Sequence, residues 1–270
     1  MFQTKQQNIL SVYCTAGFPL LDSTLEVMLA LQEGGTDMIE LGMPYSDPLA
    51  DGPVIQQSNG IALQNGMTIQ KLFDQLRGFR HKVYLPVLLM GYINPVLQFG
   101  FERFCQQAAD AAIDGIILPD LPMHEYETEY GAHMRKYGLS FVFLITPETS
   151  EERIRKIDEL SSGFIYAVSS SSTTGKNIDV AKQEAYFQRL QAMKLRNPVL
   201  VGFGIKDRQT FQSACRHANG AIIGTAYIKA LQQAESSGSI AAATKEFLEE
   251  VLNKDYKDGK DERMGTNASP

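Results

Sequence analysis

The chain has 270 residues, 25 of them basic and 31 acidic, for a net charge of −6. This balance argues against nucleic acid as a partner, because neutralising phosphates requires a basic face. Residues 1–8 are polar and no apolar run approaches the roughly 20 residues that span a bilayer, so we expect no membrane segment and a cytoplasmic location. Three scattered cysteines without a CxxC pair favour a reducing compartment.

Eight short apolar runs follow one another along the chain, separated by longer amphipathic stretches. Runs that are apolar on both faces are typical of strands in a parallel sheet that is covered on both sides. The predicted strands are Leu10–Thr15, Met38–Leu41, Val87–Met90, Gly115–Leu118, Phe141–Ile145, Phe164–Ser169, Val199–Gly202 and Ala221–Ile223.

Helix start signals lie between these runs. Ser23 with Glu26, and Thr149 with Glu152, have the spacing of a capping box, and Asp207 is placed to cap the N-terminus of a later helix. A strand followed by a helix, eight times over, predicts a closed (β/α)₈ TIM barrel of the α/β class, formed as a single domain by residues 1–253. We expect residues 254–270, which are charged and then small and polar, to be a frayed tail without function.

A doubly wound open sheet is the alternative fold. Such a sheet usually has fewer strands, and the Gly-x-Gly-x-x-Gly turn of a dinucleotide site is missing after the first predicted strand. The barrel is therefore the preferred prediction.

The connection after the second strand, residues 42–67, is long for a compact domain, and long connections are usually functional. Glu40 is the last carboxylate near the end of that strand, where a partly desolvated carboxyl would have a raised pKa suited to general acid–base work. It could equally bond loop N–H groups or cap a helix. Asp47 and Asp51 lie on the loop itself, where turn chemistry beside Pro and Gly is the alternative, and for Asp47 the preferred, interpretation.

The connection after the sixth strand, residues 169–177, is rich in serine and threonine and has no apolar anchor. It could be a lid that closes over substrate and excludes water, or a solvated linker.

Glycine turns follow the last two strands: Gly202-Phe203-Gly204 and Gly224-Thr225. Glycines in these positions of a barrel let backbone N–H groups and a helix N-terminus approach a phosphate. Tight turns without a ligand are the alternative.

Other polar residues are ranked lower as site candidates. Tyr92 follows the third strand and is predicted to be a pocket wall, and Asp120 after the fourth could be a hydrogen-bond anchor or a turn residue. The histidines lack metal-ligand spacing and are expected at the surface, so no metal site is predicted. They are His81, His124, His133 and His217.

The stretch from Glu40 to Pro53 closely resembles the signature of the tryptophan synthase α subunit family, and the resemblance extends over about residues 9–252. Further matching segments are Thr15-Ala16-Gly17, Leu118-Pro119-Asp120-Leu121-Pro122, Thr174-Gly175, Gly202-Phe203-Gly204-Ile205 and Gly224-Thr225. The resemblance implies a lyase of tryptophan biosynthesis. Its reaction is the cofactor-free retro-aldol cleavage of indole-3-glycerol phosphate to indole and glyceraldehyde 3-phosphate.

The resemblance also implies roles for individual residues. Glu40 would be the general acid–base, acting on indole C3 and the glycerol hydroxyl, and Asp51 would bind the indole N–H and stabilise the positive charge that develops there. Tyr166 would lie near Glu40. The implied walls of the indole pocket are Tyr13, Tyr92 and Phe203. The implied phosphate-binding residues are Gly175, Gly204, Gly224 and Thr225.

The resemblance implies a lid and a partner as well. Thr174 would close against Asp51, although Ser170 and Ser172 stand where the family usually has Arg and Gly, so lid dynamics or communication with the partner are expected to differ. The partner would be the pyridoxal-phosphate-dependent β subunit, in an α₂β₂ complex contacted through the loops around Asp51 and Pro53.

Three alternative functions remain at this stage. The chain could be a stand-alone lyase with the same chemistry, or an inactive barrel kept as an allosteric partner of the β subunit. It could also be another phosphate-binding barrel enzyme. Glu40, Asp51 and both phosphate turns argue against the inactive barrel, and the absence of a different acid–base pair at the strand ends argues against the last alternative.

Overall fold

The computed structural model describes residues 1–168, 180–202, 204–237 and 239–252. Within these ranges, nine parallel strands form one sheet in the order β5-β4-β3-β2-β1-β9-β8-β7-β6. The strands are β1 Ile9–Thr15, β2 Met38–Gly42, β3 Val87–Met90, β4 Gly115–Ile117, β5 Ser140–Val142, β6 Leu144–Ile145, β7 Ile165–Val168, β8 Val199–Gly202 and β9 Gly220–Ile223.

The two ends of the sheet are halves of one barrel strand. Only Phe143 separates β5 from β6, and these two segments pair with β4 and β7 respectively. The backbone C=O of Phe143 still accepts a hydrogen bond of 3.0 Å from the N–H of Tyr166, so the ladder continues across the interruption. The predicted strand Phe141–Ile145 spans both halves, and the sheet closes as the predicted eight-stranded barrel.

Helices surround the barrel. They are α1 Thr24–Gly34, α2 Pro53–Gln64, α3 Ile69–Gln75, α4 Ile93–Phe99, α5 Phe101–Asp110, α6 Met123–Glu125, α7 Gly131–Lys136, α8 Glu151–Leu160, α9 Val180–Met193, α10 Arg208–Cys215, α11 Thr225–Ser237 and α12 Ile240–Leu252. A π-helical turn, Tyr126–Tyr130, joins α6 to α7. None of the helices in the described ranges is long and apolar enough to cross a membrane.

One of the three predicted helix caps is confirmed. Asp207 caps α10, and its carboxylate accepts a 2.8 Å hydrogen bond from the N–H of Thr210. The box at Ser23 is wrong, because a 3₁₀ turn precedes α1 and the Ser23 hydroxyl accepts from the N–H of Leu20. The box at Thr149 is also wrong: Thr149 accepts from the N–H of Thr146, and Ser150 caps α8.

Alternate residues of the strands face two different cores. Outward-facing side chains, such as Val12 and Ile39, pack against the helices in the larger core. Inward-facing side chains, such as Met38, Leu88 and Ile222, fill the barrel itself. Burying a side chain of this size stabilises the fold by about 1.5–3 kcal/mol, which explains why strands covered on both faces are apolar throughout.

The inner core is covered at the N-terminal ends of the strands. Met1 and Phe2 pack against it, and the Phe2 ring lies 6.2 Å from that of Phe164. The carboxyl ends of the strands open into a cavity, and this end of a barrel is where active sites are built.

Candidate active site

A cavity of about 1720 Å³ occupies the carboxyl ends of the strands. It brings together seven of the site residues predicted from sequence: Tyr13, Glu40, Asp51, Tyr166, Gly204, Gly224 and Thr225. Tyr92 lines a smaller adjoining pocket with Tyr45 and Asp120. The remaining predicted site residues, Thr174, Gly175 and Phe203, lie outside the described residues, as do Ser170, Ser172 and the tail 254–270.

Glu40 projects into the barrel from β2. Its backbone pairs with Tyr13 on β1 and with Leu88 on β3, which places its side chain on the inner face, and the residue is 0% exposed. Oε1 accepts a 2.9 Å hydrogen bond from the Ser11 hydroxyl, whereas Oε2 has no partner in the described part of the chain. Among the described residues, Glu40 accepts from a side-chain hydroxyl and neither bonds a loop N–H group nor caps a helix.

Burial raises the pKa of Glu40 to about 8, and the hydrogen bond from Ser11 opposes part of this rise. Ionising a carboxyl in an apolar interior is costly, and a donor to the charged form offsets some of that cost. Glu40 is therefore mostly protonated at neutral pH and can both donate and accept a proton. A general acid–base needs these properties.

Asp51 ends the loop that connects β2 to α2. Its Oδ2 accepts a 3.1 Å hydrogen bond from the phenol of Tyr92. Burial raises the pKa of Asp51 to about 6, and the Tyr92 bond opposes this rise. Asp51 thus remains largely ionised at neutral pH while Glu40 remains protonated, a division that lets two carboxyls carry different tasks.

Asp47, by contrast, is exposed and accepts a hydrogen bond from the neighbouring Ser46 hydroxyl.

Two tyrosines inside the barrel occupy space that glycines leave free. A Cβ on Gly42 would overlap the Tyr13 ring, and a Cβ on Gly202 would overlap the Tyr166 ring. Burial raises the pKa of both phenols, and the Glu40 carboxylate adds to the effect at Tyr166. Both rings are therefore neutral walls of the cavity at neutral pH.

Gly204 and Gly224, from the two glycine turns, line the same cavity. Gly204 has φ +76°, a left-handed conformation that suits glycine, and Gly224 precedes Thr225, the first residue of the 13-residue helix α11. Backbone N–H groups at a helix N-terminus are favourable partners for an anion. This end of the cavity can hold a phosphate.

Some residues of the site were missed from sequence. Ser11 is the polar residue of the otherwise apolar stretch Ile9-Leu10-Ser11-Val12, a signal that could have drawn attention to it. Thr15 and Ser58 share a 2.7 Å hydrogen bond behind Tyr13, but nothing local in the sequence connects β1 with α2. Asp120 accepts from the N–H of Ile93 at the start of α4, so the hydrogen-bond anchor is the correct interpretation.

The described residues contain no group of three or more His, Cys, Asp or Glu that could hold a metal ion. None of the four histidines lines the cavity. His81 and His124 are exposed, His133 is half-buried, and His217 pairs with Glu184 at 3.3 Å.

A closed (β/α)₈ barrel with a protonated acid, an ionised acid and an anion site in one cavity defines a phosphate-binding barrel enzyme of acid–base chemistry. The sequence profile of the tryptophan synthase alpha chain family matches residues 1–257. The chain belongs to this family, and the alpha reaction is a lyase reaction, the cleavage of indole-3-glycerol phosphate to indole and glyceraldehyde 3-phosphate.

Individual members of the family are similar to this chain over nearly its whole length. The tryptophan synthase alpha chain of Phocaeicola vulgatus is 49% identical over 254 residues, which cover 94% of this chain and 98% of the relative. That of Flavobacterium johnsoniae is 51% identical over 248 residues, covering 92% and 96%.

Solved structures agree as well. The crystal structure of tryptophan synthase subunit alpha from Legionella pneumophila has a TM-score of 0.84 at 33% identity and covers 93% of this chain and 94% of its own. A mutant tryptophan synthase alpha-subunit from Pyrococcus furiosus has a TM-score of 0.83 at 35% identity, covering 92% and 99%.

Proposed function

We propose that Glu40 and Asp51 carry out the tryptophan synthase alpha reaction, which this chain performs on indole-3-glycerol phosphate. The observation that carries the proposal is the pairing of two differently ionised carboxyls in one cavity. Burial raises the pKa of Glu40 to about 8 and that of Asp51 to about 6, so at neutral pH the first holds a proton and the second holds a charge.

Glu40 supplies and recovers one proton in each turnover. Its carboxyl protonates indole C3, and the electron deficit moves to the ring nitrogen. The resulting carboxylate then removes the proton of the C3′ hydroxyl, the C3–C3′ bond breaks, and its electron pair returns to the indole ring. Indole and the aldehyde leave, and Glu40 is again protonated. A single group with a pKa near the working pH is suited to both transfers.

Asp51 stabilises the positive charge between these two steps. An anion held beside the indole N–H favours the protonated ring over the neutral one, and such fixed charges contribute strongly to catalysis in a partly desolvated site. Its ionised state at neutral pH supports this assignment.

The rest of the cavity binds the substrate. We assign the indole pocket to Tyr13, Tyr92 and Phe203, with Tyr166 beside Glu40. We assign the phosphate to Gly175, Gly204, Gly224 and Thr225, and closure over Asp51 to Thr174. The reaction as proposed uses no metal and no cofactor, because both proton transfers and the charge stabilisation fall to side chains.

The proposed partner is the tryptophan synthase β subunit in an α₂β₂ complex, and the proposed location is the cytoplasm. Leu49, which is 86% exposed, lies on the same loop as Asp51 and supports a docking face there.

The test is indole release from indole-3-glycerol phosphate by the wild type, Glu40→Gln and Asp51→Asn, each alone and with a β subunit. Asp74→Asn is the control, because it changes an exposed carboxylate of α3 that pairs with Arg77 away from the cavity. We expect slow release by the wild type alone, a large rise with the partner, and a loss of at least about a hundredfold in both site variants. Fast release without a partner would favour the stand-alone lyase, and no release in either condition would favour an inactive allosteric barrel.

A further inference from the structure

Ser11 occupies an unusual position inside the barrel. On β1 it pairs with Met38 of β2 and Ile222 of β9, both of which belong to the apolar inner core. Ser11 is nevertheless 0% exposed. A hydroxyl taken out of water into such surroundings is unfavourable unless it finds a hydrogen-bond partner, so packing alone would favour alanine or a larger apolar residue here.

The partner of this hydroxyl is the Glu40 carboxyl. Ser11 Oγ donates to Glu40 Oε1 over 2.9 Å, and both residues are completely buried. The register explains the contact, because Tyr13 pairs with Glu40 and Ser11 stands two residues earlier on the same inner face. Diagonal neighbours of this kind are within reach when one side chain is long.

The bond makes the two carboxyl oxygens of Glu40 different. Oε1 is held by Ser11, whereas Oε2 is buried without a partner in the described part of the chain, in a residue that lines the cavity. Without Ser11, rotation about the terminal bond of the side chain would exchange the two oxygens. With Ser11, one plane of the carboxyl is preferred and Oε2 is left for chemistry.

The bond also acts on charge. Ser11 is a donor, so it stabilises the carboxylate more than the neutral acid, and it lowers the pKa of Glu40 against the effect of burial. The carboxylate is the form present after the proton has passed to the substrate.

We propose that Ser11 is a positioning residue for the proton carrier: it orients the Glu40 carboxyl so that Oε2 exchanges protons with the substrate, and it stabilises the carboxylate formed in between. This inference rests on the proposed function of Glu40. It goes beyond that function because it assigns the reactive oxygen and a second residue that controls it.

The test compares the pH dependence of kcat and KM for the wild type, Ser11→Ala and Ser11→Thr. We expect Ser11→Ala to move the alkaline limb of the pH profile to higher pH by about one unit. We also expect kcat to fall about tenfold, with KM changed less than about twofold. Ser11→Thr keeps the hydroxyl and should restore the position of the limb. Thr244→Val is the control, since it removes a buried hydroxyl that bonds Tyr227 on the outer helices. It should leave both limbs unchanged.

A second readout does not depend on turnover. Protein labelled with ¹³C at the glutamate δ-carboxyl can be titrated by NMR, with Glu40→Gln identifying the resonance. An upward shift of its titration in Ser11→Ala supports the inference, and an unchanged titration together with an unchanged kcat overturns it. If Glu40→Gln retained its activity, the proposed function of Glu40 would be refuted. If Glu40→Gln were inactive while Ser11→Ala kept the wild-type kcat and titration, only the role of Ser11 would be refuted.

Discussion

The phenol oxygen of Tyr92 donates a 3.1 Å hydrogen bond to Oδ2 of Asp51. The same oxygen accepts a 3.0 Å bond from the N–H of Ala50, so its proton is directed towards the carboxylate. Burial raises the pKa of Asp51 to about 6, and without the Tyr92 bond it would rise further. Tyr92 therefore favours the ionised form of Asp51, which is the form that the proposed role of Asp51 requires.

Tyr92→Phe should make the reaction more sensitive to acid. Loss of the donor raises the pKa of Asp51, so the acidic limb of kcat/KM should move upward by about one pH unit. The loss of activity should be larger at pH 6 than at pH 8. The measurement is the rate of indole release across that range.

Tyr45→Phe is the control for this variant. Its ring lies 5.4 Å from the Tyr92 ring, but the hydrogen bond its hydroxyl makes within the described residues is accepted from the Asn94 amide and not shared with Asp51. A uniform loss at every pH in Tyr92→Phe would show that the ring, and not its hydrogen bond, matters.

The wild type should have a bell-shaped pH profile of kcat/KM. The active form requires ionised Asp51 and protonated Glu40, whose pKa values are about 6 and about 8, so activity should fall below the first and above the second. Asp51→Asn should remove the acidic limb from its residual activity. A rate that stays constant well above pH 9 would contradict the role of Glu40 as the initial acid.

Glu40→Gln should be more stable than the wild type, by an amount that grows with pH. The folded pKa of Glu40 lies above its unfolded value, so the folded chain binds the extra proton between pH 4.5 and about 8. Stability from this group is fully present below pH 4.5 and is lost as pH rises through the folded pKa. The difference at pH 8 should be a few kcal/mol, on the order of 1.4 kcal/mol for each pH unit crossed.

Urea unfolding of both proteins at pH 5, 7 and 8 measures this difference. Comparison at each pH cancels the contribution of every other titrating group. A difference independent of pH would mean that Glu40 is ionised in the folded protein, and both its pKa and its role as an acid would then have to be revised.

Gly202→Ala should damage the site through Tyr166. The added Cβ would overlap the Tyr166 ring, which is buried and cannot move outward without disturbing the inner core. We expect a loss of about 1–3 kcal/mol of stability and of most of the activity.

Gly60→Ala in α2 is the matched control, because its Cβ would meet no atom within 4 Å. It should gain about 0.5–1 kcal/mol from helix propensity. Equal effects of the two variants in urea unfolding would refute the steric argument.

The barrel and the place of its site could be predicted from sequence. The eight predicted strands agree with the observed ones to within a residue or two at each end, except that Phe143 divides the fifth, and Ser169 at the end of the sixth lies outside the described residues. Seven predicted site residues meet in one cavity, although their roles remain proposals. Two predicted capping boxes were wrong. The Ser23 and Thr149 hydroxyls accept hydrogen bonds from backbone N–H groups three residues earlier, in the turns before the helices, and the i, i+3 spacing of the box does not reveal this.

The sequence by itself determined the alternation of strands and helices, because periodicity and burial on both faces are written locally along the chain. It also placed Glu40 on the second strand and Asp51 on the following loop, although Glu40 lies in the middle of β2 and not at its end. Only the tertiary structure decided what surrounds these carboxyls. Ser11 meets Glu40 across 29 residues of chain, and Tyr92 meets Asp51 across 41. The pKa of a carboxyl depends on desolvation and on such distant donors, which exist only when the barrel has closed.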